Sequence, residues 1–174
     1  MTNISRLFML AAVLLGIAVC TPTSVSAQGP LGRGFGFGLS IGNPLGGTIK
    51  YWAASDQALA ASLGADYFGS PRLNVDYHWH FNAFNSDVVK LYAGPGLAIG
   101  FGGGREYLWY KKGHDYYFYR EDGKTGIGAR VLLGLNVIPR RSPIEMYLEA
   151  GPLVGLSPAF GTSVDAALGI RFYP

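Results

Sequence analysis

The chain has 174 residues, 14 of them basic and 11 acidic, a formal charge of +3, and a single cysteine. That length bounds one domain with a sizeable interior. So near a charge balance offers no basic footprint for nucleic acid, and one cysteine excludes an internal disulfide.

The first 27 residues read as a cleaved signal peptide. Arg6 is the only charge before the apolar run Leu7–Val19, and Val25-Ser26-Ala27 supplies small residues at the spacing signal peptidase accepts. Thirteen apolar residues are too few to span a bilayer as a helix. Cleavage after Ala27 removes Arg6 and Cys20 and leaves thirteen basic against eleven acidic residues, or +2. Lipid attachment at Cys20 is a competing reading, but it wants a small residue before the cysteine, and Val19 is branched. No later apolar run reaches the roughly 18 residues of a transmembrane helix. A soluble exported domain and a membrane β-barrel remain.

Almost every later segment alternates at period two, the signature of strands whose two faces meet different surroundings. Gly34–Gly42 alternates Gly or Ser with Phe35, Phe37, Leu39 and Ile41. Asn43–Gly47 is a turn cluster, and Thr48–Ala53 alternates again. Ser55–Gln57 turns the chain, and Leu59, Ala61, Leu63, Ala65 and Tyr67 then oppose Ala60, Ser62, Gly64, Asp66 and Phe68. The next strand, Arg72–Phe81, is the clearest of all. Leu73, Val75, Tyr77, Trp79 and Phe81 oppose Arg72, Asn74, Asp76, His78 and His80. After the polar turn 82–87, Val88–Gly102 sets Val89, Leu91, Ala93, Pro95, Leu97, Ile99 and Phe101 against Lys90, Tyr92, Ala98 and glycines. A long polar and aromatic segment, Gly103–Gly123, precedes the sixth strand, Lys124–Val137. Beyond the turn Pro139–Pro143, Ile144–Gly151 and then Val164–Tyr173 alternate, with Ser157–Ser163 as the last loop. Eight short strands with turn signals between them predict a sandwich or a barrel.

The composition of the two faces decides which is inside. The polar faces collect Lys50, Arg72, Lys90, Arg130 and Arg171 with Asp66, Asp76, Glu145, Glu149 and Asp165, five of each sign, plus His78 and His80 among Gly, Ala and Ser. On a soluble barrel this would be the solvent side, where so many small residues serve nothing. In a small membrane barrel it is the lumen, where small residues make room and opposite charges pair. The apolar faces carry almost nothing ionisable, as a lipid-facing band requires. An all-β, eight-stranded, antiparallel up-and-down transmembrane barrel follows, with a lumen filled by an ion-paired network rather than an open channel.

With the N-terminus in the periplasm, the long 103–123 connection lies outside the cell and the turns at 55–57, 82–87 and 139–143 face the periplasm. Tyr51, Trp52, Phe81, Tyr92, Tyr147, Phe172 and Tyr173 then fall at periplasmic strand ends, where an aromatic girdle belongs. Pro95 and Pro152 sit inside strands, each after a glycine, and predict a bulge or kink at each Gly-Pro. The chain ends in Phe172-Tyr173-Pro174, and the first two are near enough to the terminus to supply the aromatic that barrel assembly reads.

Several strings carry a resemblance: Gly42-Asn43-Pro44-Leu45-Gly46 followed by Lys50-Tyr51-Trp52, then Asp76-Tyr77-His78-Trp79, Tyr92-Ala93-Gly94-Pro95-Gly96, and Asp165-Ala166-Ala167-Leu168-Gly169-Ile170-Arg171. Over nearly all of 28–174 the sequence resembles a family of small eight-stranded bacterial outer-membrane barrels of unassigned function. The likeness to the OmpA and OmpX barrels is one of architecture only. The resemblance implies the barrel and no catalytic residues.

Candidate chemistry is sparse. Asp76, His78 and His80 share one strand face at a spacing that could place three ligands on a metal. The same positions serve equally as lumen residues bonded to carboxylates or tyrosines, and no metal or cofactor is expected. A lipid-acting Ser–His–acid triad needs its histidine near the outer leaflet, whereas His78 and His80 fall in the periplasmic half. The glycine strings 34–38 and 94–96 lack the strand–turn–helix setting of a nucleotide site. The outer segment is richer. Arg105–Lys112 and Tyr116–Asp122 flank a turn at Gly113–Asp115 and predict a protruding hairpin. Its Tyr107, Trp109, Tyr110, Lys111, Lys112, Tyr117, Tyr119 and Arg120 belong to the residue types that dominate binding surfaces, or they meet headgroups and the phosphates of lipopolysaccharide. The sequence therefore points to a non-catalytic outer-membrane barrel, monomeric in lipid, of structural or surface-interaction role. The alternatives are a narrow channel and an adhesin that meets an extracellular protein or glycan through 103–123.

Overall fold

A computed structural model describes residues 29–101, 125–157 and 160–174, together with the backbone of 109–112 and 115–118. Its strands are β1 (Phe35–Gly42), β2 (Leu45–Trp52), β3 (Gln57–Ala65), β4 (Arg72–Phe81), β5 (Val89–Gly100), β6 (Trp109–Lys112), β7 (Asp115–Phe118), β8 (Gly126–Val137), β9 (Ile144–Ser157) and β10 (Gly161–Phe172). The eight long strands pair antiparallel in chain order, with β5 beside β8, and β10 returns to β1 from Phe37↔Phe172 to Gly42↔Ala167. The sheet thereby closes into an eight-stranded up-and-down barrel. Closure leaves its long strands no free edge, so their ladder groups find partners within the barrel.

Strand bounds differ from the alternation in instructive places. Leu45, Gly46 and Gly47 belong to β2, so the first turn shrinks to Asn43-Pro44. Likewise β9 runs through Pro152 to Ser157 and β10 begins at Gly161, so the last connection is shorter than 157–163. Conversely β3 stops at Ala65, because the Asp66 carboxylate accepts the backbone N–H groups of Phe68 at 2.8 Å and Gly69 at 3.2 Å. That local turn competes with the ladder and swings Tyr67 and Phe68 inward, off the outer face to which alternation assigns Tyr67.

The Gly-Pro steps also correct an expectation. The β4–β5 ladder keeps its register from Asp76↔Gly96 to Trp79↔Ala93 and omits the two pairs between; β8–β9 does the same from Arg130↔Leu153 to Leu133↔Ala150. Proline has no N–H to give, and the glycine before it lets the neighbouring strand come close. A Cβ on Gly94 would stand 1.6 Å from the Tyr77 carbonyl oxygen, and one on Gly151 1.8 Å from that of Val131. The register shift in β8–β9 falls elsewhere, between Ile127 and Gly128.

Polarity is reversed relative to a water-soluble domain. Leu39 is 67% exposed, Ile41 69%, Leu133 61% and Val164 70%, while Lys50 and Arg72 are fully buried. Two small apolar clusters stop the lumen. Trp52, Ala58, Ile138 and Tyr173 lie at the end where the described chain begins at Gly29 and closes at Pro174, the terminal end, and Phe68, Ala98 and Leu153 lie at the opposite, hairpin end.

Candidate functional site: the charged lumen

Because β-strand side chains alternate, each long strand delivers its even or odd set to the interior as a column. Lys50, Arg72, Asp76, His78, His80, Arg130, Glu145, Glu149, Asp165 and Arg171 are all buried there. Lys90 is half-buried at the terminal end, and the Asp66 carboxylate turns in from the β3–β4 connection.

These residues divide into two networks. At the terminal end Glu145 is the hub. Lys50 donates to its Oε1 at 2.8 Å, Arg171 at 3.1 Å, and the Tyr173 hydroxyl donates to Oε2. Arg171 also reaches Thr48 at 3.0 Å and lies 3.8 Å from the centre of the Tyr147 ring. The Lys50 ammonium, 4.4 Å from the Trp52 ring, bonds His80 Nε2 at 3.0 Å. An ammonium has only donors, so Nε2 accepts and the proton of neutral His80 sits on Nδ1, which faces the Asp56 carbonyl at 3.2 Å.

Toward the hairpin end, Arg130 forks onto Asp76 at 2.7 and 2.5 Å and reaches Asp165 at 3.1 Å and Glu149 at 3.9 Å. Arg72 bridges Asp66 and Asp165 and bonds Asn74 at 2.7 Å. Tyr67 donates to Asp165 at 2.5 Å and accepts from Ser163 at 2.7 Å, while Tyr92 donates to Glu149 at 2.6 Å. Two guanidiniums among four carboxylates suit the planar, bidentate fork of arginine. Burial and the adjoining Asp165 carboxylate push the Tyr67 phenol upward, so it remains a donor at physiological pH. At the other end burial, then Glu145, does the same for Tyr173. Burial also raises the Asp66 carboxyl, against the pull of Arg72.

Tyrosine rings fill the space that lumen glycines leave open. A Cβ on Gly134 would meet Tyr92 at 2.2 Å, and one on Gly169 would meet Tyr147 at 2.5 Å. The void enclosed between Thr48, Asp76, Glu149 and Arg171 measures about 10 Å³, room for no more than about one water. Charges held this closely act as filling. Breaking a buried pair from one side costs roughly 3–5 kcal/mol, because the stranded partner stays out of water.

Asp76, His78 and His80 share a strand face but do not converge on a common point. Asp76 is taken by Arg130, His80 by Lys50, and the His78 ring stacks on Tyr92 at 4.4 Å. Among the described residues no group of three His, Cys, Asp or Glu is arranged to hold a metal.

The aromatic girdle also needs correcting. Trp52, Tyr92, Tyr147 and Tyr173 point into the lumen and are buried, since each shares the parity of the charged column on its strand. The outward aromatics at the terminal end are Phe35, Phe37, Tyr51, Trp79, Phe81 and Phe172. Phe172 packs edge-on to Phe37 with ring centres 6.1 Å apart. Of the two C-terminal aromatics, therefore, only Phe172 is available on the outer surface. Sequence reasoning passed over Leu132, Leu153, Tyr67 and Phe68 as lumen residues. Parity alone would have found Leu132, Leu153 and Phe68.

The predicted outer hairpin exists as the β6–β7 pair, from Trp109↔Phe118 to Lys112↔Asp115. Its backbone bridges to β10 at Thr162↔Trp109, so it joins the strand across the mouth instead of prolonging β5 and β8. The side chains of Trp109, Tyr110, Lys111, Lys112 and Tyr117 fall outside the described residues, as do Tyr107, Tyr119, Arg120 and the 1–27 segment with Cys20.

Among solved structures the chain is similar to the crystal structure of the N-terminal beta-barrel domain of Pseudomonas aeruginosa OprF. The likeness has a TM-score of 0.50 and 19% identity, and covers 79% of this chain and 93% of that domain. The chain shares that small-barrel fold. No family model and no curated protein matches it.

Proposed function

We propose that this protein is an integral outer-membrane β-barrel, exported through a signal peptide cleaved after Ala27, with a structural or surface-interaction role and no catalysis. The observation that carries the reading is the reversed polarity: charges buried in the lumen and an unbroken apolar outer belt. In water that belt would be an exposed hydrophobic surface around the whole circumference, far beyond what a soluble monomer presents. In a bilayer it is the solvated face. The OprF-like fold supports the same setting. Lipid and lipopolysaccharide are then its immediate neighbours. The β6–β7 hairpin supports an external protein or glycan as partner, since it gathers aromatic and basic residues of the 103–123 segment into one strand pair. The test is solubility: purified protein should need detergent and should migrate faster unheated than boiled on denaturing gels. A stable, monodisperse protein in detergent-free buffer would refute the proposal.

The channel reading is the weaker one, because Arg72, Arg130 and Arg171 with their carboxylates cross the lumen, and the void between Thr48, Asp76, Glu149 and Arg171 is only about 10 Å³. Silent planar bilayers are the expected result.

A further inference from the structure

His80 belongs both to the charged lumen and to the wall of a recess at the terminal end. The recess holds about 550 Å³, and Asp56, Asp87, Lys90 and Arg140 also line it. Every side of the imidazole is accounted for. From β2 the Lys50 ammonium lies 3.0 Å from Nε2, and the Trp52 ring centre is 4.3 Å from that of His80. On β5 the Tyr92 ring centre is 5.3 Å away, and Lys90 lies toward the recess. His78, on the same face of β4, is 6.1 Å away. The β2–β3 turn supplies the Asp56 carbonyl, 3.2 Å from Nδ1 and 2.6 Å from the His80 backbone nitrogen. From β9, Glu145 stands behind Lys50, bonded to it at 2.8 Å, to Arg171 at 3.1 Å and to the Tyr173 hydroxyl. Among the described residues no carboxylate bonds the imidazole itself.

This arrangement accepts only a neutral ring. An ammonium has donors alone, so Nε2 must offer its lone pair. A proton on Nε2 turns the 3.0 Å bond into a contact between two cations, each aiming a donor at the other. Lys50 has nowhere to go, since its side chain is 0% exposed and Glu145 holds it. Glu145 already receives three donors and offers the incoming proton no free place. His80 does have somewhere to go. The recess lies beside it, with the exposed carboxylates of Asp56 and Asp87 on its lining. Asp87 is shared with Arg140 at 2.6 Å, which leaves Asp56 as the better receiver. The neighbouring His78 is buried, lies outside the recess lining and stacks on Tyr92 at 4.4 Å. A proton arriving from the terminal end therefore meets His80 first.

We propose that His80 is a proton-operated latch at the terminal mouth of the barrel. Neutral, it caps Lys50 and covers Trp52; protonated, it leaves Lys50 and turns into the recess toward Asp56. The latch goes beyond the outer-membrane reading, and its test works in detergent whether or not that reading holds.

The test uses the full-length chain in nonionic micelles with Trp79→Phe and Trp109→Phe, which leaves Trp52 as the sole tryptophan. Its quenching by acrylamide is followed through the histidine range, from about pH 8 to about pH 4.5. Heat-modifiable gel migration shows that each sample stays folded. The open latch holds one proton that the closed latch does not, so the open-to-closed ratio should rise about tenfold for each pH unit below roughly 6.5. Trp52 should become accessible to the quencher in step. His80→Gln keeps an acceptor for Lys50 but takes up no proton, and should leave Trp52 shielded throughout. His78→Gln should respond as the parent does. A flat profile in the parent, an acid response that survives in His80→Gln, or one that is lost in His78→Gln overturns the proposal. So does exposure of Trp52 that appears only together with the unfolded gel band.

Discussion

Glu145→Gln separates charge pairing from space filling in this lumen. The substitution keeps the side-chain volume and removes the charge on which Lys50 converges at 2.8 Å and Arg171 at 3.1 Å. Neither cation can reach water, since their side chains are 0% and 2% exposed. Stranding a buried charge in this way costs roughly 3–5 kcal/mol. With a urea dependence of about 2 kcal/mol/M for a chain of this size, the unfolding midpoint should fall by about 2 M. The assay is urea titration of protein refolded into micelles, read by tryptophan fluorescence and by the folded and unfolded gel bands. Adding Lys50→Met removes one of the stranded cations and should recover about half of the loss. A midpoint change below about 0.5 M, or a double variant less stable than Glu145→Gln alone, would show that these charges are not held by pairing.

Other substitutions probe the remaining features. Val131 is 56% exposed at the middle of β8 on the outer belt, so Val131→Lys should cost roughly 2–4 kcal/mol in lipid bilayers; equal stability of the two proteins there would contradict a lipid-facing belt. Gly94→Ala sets a methyl against the Tyr77 carbonyl backbone and should cost about 1–3 kcal/mol or prevent refolding, measured by the fraction of heat-modifiable protein. At Asp165, which joins Arg72, Arg130 and Tyr67, Asp165→Asn should destabilise by roughly 3–5 kcal/mol in the same urea assay, well above the loss from Asp87→Asn in the exposed Arg140 pair, which should leave the midpoint unchanged.

Alternation is a local property, and it carried the fold. In β4 the polar set Arg72, Asn74, Asp76, His78 and His80 is buried and Val75, Trp79 and Phe81 are exposed. Parity assigns these faces without knowing any neighbour. Where a residue makes a local bond that competes with the ladder, parity failed: Asp66 captures the Phe68 and Gly69 amides and turns Tyr67 inward. The Gly-Pro steps were legible as irregular, but not as simple omissions from an unshifted register, because that depends on how closely Tyr77 and Val131 approach from the next strands.

What the sequence determined by itself was therefore the strand content, the inward column of charges and the apolar outer column, since each follows from a period of two along one strand. Which lumen charges meet was decided only in the closed barrel. Glu145 gathers Lys50 from 95 residues away, and Arg130 finds Asp76 from 54 residues away. Strand stagger and closure set those distances, and no period within a single strand encodes them. The pairing of Lys90 with Asn136 belongs to the same class: both residues are plain in the chain, and only the register between neighbouring strands sets them side by side.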